Sequence, residues 1–175
     1  MKRILLSISA VLLLAAAPRV PSQQEVLAAL QGYENPITRA SMQGLGPGWD
    51  AVVAKVVADE QTPSATRQRA LFALRFASGE EVARVLRENV LRNRDAVEGA
   101  PVLELIEALG ALAKVQGEKA TAVLVPMLSH PVPDVRVAAG EALAGIGTEA
   151  AREAVRQQLE REPESFVREA LGAAL

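Results

Sequence analysis

Apolar residues recur at Val102, Leu105, Ile106, Leu109 and Leu112 with the three- and four-residue spacing of one helical face, and Val123, Leu124, Met127 and Leu128 answer them from the next segment. The same spacing appears at Trp49, Val52, Val53, Val56 and Val57, and again at Val82, Val85, Leu86 and Val90. In that last segment Arg84, Arg87, Glu88 and Arg92 fill the rest of the circumference. Helices are therefore predicted over 23–31, from Pro36 to about Gly44, and over 49–60 and 65–77. Further helices are predicted from Ser78 onward, in two halves between Val102 and Leu128, over 133–147 and 148–161, and over 166–175. Ser64, Ser78 and Thr148 are the expected N-terminal caps, with Ser22 and Glu25 spaced as a capping box if Ser22 is retained, because a short side-chain oxygen satisfies the free amides of a first turn. Pro126 falls inside a predicted helix, which it should bend by removing one backbone bond.

The helices come in a period. Sliding the chain on itself by 32 residues lays Val135-Arg136 over Val167-Arg168 and Ala142-Leu143 over Ala174-Leu175. The Ala-Leu pair recurs as Ala108-Leu109 and Ala73-Leu74, and Arg67 precedes Leu74 by seven residues as Arg136 precedes Leu143. Helical units at this period predict an all-α fold, an α-α superhelix of about four helical hairpins and a final half repeat. Composition agrees. Ala, Leu and Val dominate, only five residues are aromatic, and cysteine is absent, which excludes disulfides, thiol nucleophiles and Cys-ligated metals.

The N-terminus reads differently from the rest. Lys2 and Arg3 precede an uncharged run from Ile4 to Ala17, the layout of a secretory signal and too short for a comfortable membrane span. This predicts a signal peptide over 1–22, a repeat domain over 23–175, and a periplasmic or secreted destination with only transient membrane contact. Ala15-Ala16-Ala17 offers one cleavage block, though Pro18 would follow the cut, and Val20-Pro21-Ser22 offers a second, which the sequence favours. Without Lys2, Arg3 and Arg19 the chain keeps 16 basic against 21 acidic residues, which disfavours nucleic acid as a partner.

The stretch Asp134 to Gly147, DVRVAAGEALAGIG, resembles a HEAT repeat of the bacterial HEAT-like (phycobilisome lyase-type) class, and Val167 to Leu175 resembles it too, with Ser165 in place of the acid. Units two and three match in part: Arg67 is kept without a nearby Asp, and Leu103-Glu104 stands where Val-Arg is expected. The resemblance implies a right-handed superhelix whose second helices line a concave protein-binding face. It does not imply lyase chemistry, because the repeat is more widespread than that activity.

Candidate chemistry is sparse. His130, the only histidine, lies in a proline-flanked turn and is expected to be an exposed loop residue with no second ligand for a metal. No histidine-based triad, nucleophile elbow or phosphate loop is present, and Asp134, Arg136 and Arg168 are expected to bridge neighbouring turns. No catalytic, cofactor or metal residues are therefore expected, and the chain is read as a non-enzymatic scaffold for another protein. Its contacts are expected at Arg84, Arg87, Glu88 and Arg92 and at Arg152, Arg156 and Gln157. The charge pattern supports a polarised surface: seven arginines against three glutamates between Arg67 and Arg94, and seven glutamates against four arginines between Glu141 and Glu169. A lyase-like accessory subunit acting on a protein-bound cofactor is the enzymatic alternative. Self-assembly through the final half repeat is the structural one.

Overall fold

A computed structural model describes residues 19–32 and 36–175, so the run from Ile4 to Ala17 lies outside the described residues. The chain is an α-α superhelix. Its helices are α1 (Gln23–Gln31), α2 (Arg39–Gln43), α3 (Trp49–Ala58), α4 (Ser64–Leu74), α5 (Glu80–Asn93), α6 (Gly99–Gln116), α7 (Thr121–Leu124), α8 (Pro133–Ile146), α9 (Glu149–Arg161) and α10 (Ser165–Ala174). The first helices of successive units, α4, α6, α8 and α10, pack side by side as one layer. Behind them α3 packs on α5, and α9 packs on α8 and α10. The predicted stripes are the core: Val102, Leu105, Leu109 and Leu112 are buried, as are Val82, Val85, Leu86 and Val90. Trp49, the single tryptophan, is 7% exposed and opens α3 as a packing residue at the N-terminal end.

Several local expectations change. Ser78 does not cap α5; Gly79 occupies that position at φ +103, a conformation open to glycine and strained for other residues. Ser64 begins α4 behind Pro63 and spends its hydroxyl on Glu104 instead. The second helix of the third unit is not one bent helix. It is broken into a 3-10 turn over Gly117–Ala120, the single turn of α7, and a 3-10 segment over Val125–Ser129 in which Pro126 takes an early position. Tight i to i+3 bonding is what remains when the proline withholds the amide that would continue α7. His130 is 4% exposed, not a surface residue. Its Nδ1 accepts the Val132 N–H at 3.1 Å, which leaves the proton on Nε2 to donate to the Arg94 carbonyl at 2.9 Å. The imidazole thereby ties the turn before α8 to the end of α5.

The repeats are joined by arginines that fold back on their own entry turns. Arg136 Nη1 donates to the carbonyls of His130 and Pro131, Arg168 Nη1 to those of Glu162 and Pro163, and Arg67 Nη2 to those of Asp59, Glu60 and Thr62. Two of them also grip a buried carboxylate of another helix or turn. Arg67 meets Glu104 at 3.1 Å, and Arg136 holds both oxygens of Glu162 at 2.6 and 2.9 Å. Glu104, the residue that departs from the repeat pattern, is thus the partner of the preceding unit's arginine.

Candidate functional site

Glycine and alanine at the outer positions of the first-helix layer leave seams between adjacent helices. Three recesses follow these seams. One of about 530 Å³ lies between the loop at Pro36-Ile37 and α4, with Phe72 and Glu107 on its walls. A second, of about 350 Å³, lies between α6 and α8 over Gly110, Ala138, Ala142 and Gly145. A third, of about 410 Å³, lies between α8 and α10 over Ala144, Ala170 and Ala173. Glu107 borders the first and second, and Glu141 and Gly145 border the second and third. The three therefore lie side by side along a furrow across the layer, divided by the side chains they share. Helices packed at roughly 8–10 Å spacing give it a run of about 25–30 Å over four helices.

The charges along the furrow are of two kinds. Arg75 stacks on the Phe72 ring, 4.2 Å from its centroid, and pairs with Glu107 at 2.9 Å, its guanidinium lying over Gly110, which has no side chain to block it. Burial pushes the Glu107 carboxyl above its ordinary range, and the Arg75 charge offsets only part of that. Lys114 and Glu141, by contrast, line the second recess as exposed charges in no ion pair among the described residues.

The residues expected to make contacts lie elsewhere. Arg84, Arg87, Glu88 and Arg92 are on α5, and Arg152, Arg156 and Gln157 on α9. Most already have partners on their own helix: Arg84 pairs with Glu81 and Glu88, Arg87 with Glu80, Arg156 with Glu149 and Glu153, and Gln157 with Glu153. The Arg84 hydrogen bond holds Glu81 below the usual carboxylate range, and the bonds from Gln157 and Arg156 do the same to Glu153. Of the charged residues in this set, only Arg92 and Arg152 stand exposed without an ion pair among the described residues. The arginine-rich block is also less polarised than its count suggests, because Glu104, Glu107 and Asp95 neutralise Arg67, Arg75 and Arg94 from outside it. Nothing in the sequence marks the second and third recesses, because alanine and glycine make up most of their lining and carry no chemical signal.

The arginine fold-back recurs in unit four and at α10, and the Ala-Leu pair recurs at Ala108-Leu109, Ala142-Leu143 and Ala174-Leu175. Residues 102–175 match the family model of HEAT repeats. The HEAT match begins within α6 and runs through α10. No curated protein matches the chain. Among solved structures, human deoxyhypusine hydroxylase in complex with glycerol is similar at 31% identity and a TM-score of 0.56, over 71% of this chain. The likeness spans 41% of that enzyme's length. It corrects one expectation: a HEAT-like chain that lacks a familiar catalytic constellation is not thereby a non-enzyme, since this neighbour on the same fold is a hydroxylase.

Proposed function

We propose that the chain is an exported protein-interaction scaffold that holds a segment of a partner protein in the furrow over α4, α6, α8 and α10. The alignment of three adjacent recesses across one layer supports this reading. A furrow of that length is longer than a small metabolite needs, and the alanines and glycines of its second and third recesses admit close approach of a polypeptide backbone. Lys114 and Glu141 call for a segment bearing both an acidic and a basic side chain. Export rests on the basic head and apolar run of residues 2–17, and the pattern at Asp134–Gly147 supports the bacterial lyase-type class of HEAT-like repeat.

The test is capture from an envelope extract with three baits in parallel. Gly145 has open space at the position of a side chain, so Gly145→Trp obstructs the border of the second and third recesses without disturbing α8. Its partner should fall away by about tenfold or more, while Arg84→Glu/Arg87→Glu retains it. Loss on the charge reversal with retention by Gly145→Trp would move the docking surface to α5. If no bait retains anything beyond the chain itself, the scaffold reading fails.

The hydroxylase likeness favours a second reading, catalysis on the segment held in the same furrow. A mass change in the captured segment after incubation with the chain supports it, and an unchanged mass removes it.

A further inference from the structure

The segment Arg19–Ser22 precedes the first helix, and a cut after Ser22 would remove it. The structure makes it part of the fold. Ser22 caps α1 in a reciprocal box: its hydroxyl accepts the Glu25 N–H at 3.3 Å, and its own N–H and hydroxyl both donate to Glu25 Oε2 at 2.8 Å. The Ser22 carbonyl accepts the Val26 N–H at 3.2 Å. Arg19 grips the same glutamate with both terminal guanidinium nitrogens, at 3.0 and 2.6 Å. Glu25 is pulled down to about 2 by the Arg19 hydrogen bond first and the Ser22 N–H second.

The segment also closes the N-terminal end of the stack. Pro21 is buried, the Val20 methyls lie beside Gly48, and the Arg19 carbonyl would stand 2.6 Å from any Cβ placed on Gly46. Gly46 therefore has a reason to be glycine beside its φ of +109, because its turn receives this segment, whereas Gly48, at φ +75, meets Val20 only in ordinary contact. A chain beginning at Gln23 would lose all of these contacts. It would also place its new α-ammonium at the first residue of α1, where unbonded amides already make the helix end positive.

We infer that the leader is removed within the alanine block Ala15-Ala16-Ala17, or directly behind it, and that Arg19–Ser22 stays with the mature protein as the latch of α1. This rests on the export reading and replaces the later site that the sequence favours. The full chain, expressed with its own leader in a bacterial host and fractionated, is weighed intact. The expected envelope product starts between residues 16 and 18. An envelope product starting at Gln23 overturns the inference while leaving export standing. An uncut chain confined to the cytoplasm overturns export and the inference together.

A second measurement reads the latch directly. Glu25→Ala lies beyond either cleavage sequence and removes the bonds to both Arg19 and Ser22, so the exported variant should melt about 2–4 °C below the parent, the shift a lost helix cap gives in a chain of this size. An unchanged midpoint would show that the segment contributes nothing to the fold.

Discussion

Arg136→Ala is expected to lower the unfolding free energy by about 3–5 kcal/mol, the range for removing one partner of a buried ion pair. The Arg136 side chain is 9% exposed and that of Glu162 is fully buried. The substitution strands the carboxylate and also frees the carbonyls of His130 and Pro131. Gln158 still donates to Glu162 at 2.8 Å, but a neutral amide does not replace the guanidinium charge. Arg136→Met/Glu162→Leu, which removes both charges and keeps apolar volume, should recover most of the loss. Urea titrations of the three variants decide it. A single substitution costing under about 1 kcal/mol would mean that the pair is not buried in solution.

The same pair sets a pH dependence. Burial works against ionisation of Glu162, yet the hydrogen bonds from Arg136, Gln158 and the Glu164 N–H together outweigh it and hold the carboxyl below its ordinary value. Because the folded-state value is lowered, the contribution is complete above the unfolded glutamate value of about 4.3 and disappears as pH falls through the lowered one. Stability should therefore be level near neutrality and decline below about pH 4.3. Glu162→Gln should flatten that decline. Equal slopes for parent and variant would assign the acid sensitivity to other carboxylates.

Gly140→Ala is the second large effect. Gly140 is buried in the middle of α8, and a Cβ there would overlap the Leu171 Cδ2 that fills the space from α10. Overpacking of this kind costs about 1–3 kcal/mol. Leu171→Ala should cost about 2–5 kcal/mol by leaving a cavity where a fully buried leucine stood. The two together should cost less than their sum, because the added methyl occupies part of the space the leucine vacates. Strict additivity in thermal or urea unfolding would show that the two residues do not meet.

Much of the fold is legible in the sequence because it depends on periodicity. The stripe from Val102 to Leu112, the Ser22 and Glu25 box, the Thr148 cap and the Gly147 break all follow from local spacing and appear in the structure. What was not legible depends on the chain's return to itself. His130 reads as a loop residue until the end of α5 supplies a carbonyl 36 positions upstream. Glu104 reads as a lapse in the repeat until Arg67 arrives from the preceding unit. The furrow is the extreme case, since Ala138, Ala142 and Gly145 are conspicuous only once two helices lie on either side of the space they leave empty.

Trp49 gives this architecture an optical consequence. The only indole in the chain is buried in the N-terminal unit, far in sequence from the Arg136–Glu162 pair that secures the fourth. Its emission therefore reports on one end of a molecule whose units touch chiefly their neighbours. Circular dichroism averages over every turn of helix. Superposed melts from the two signals would describe a single cooperative block, whereas an offset between them would measure how weakly one end of the stack is told of events at the other.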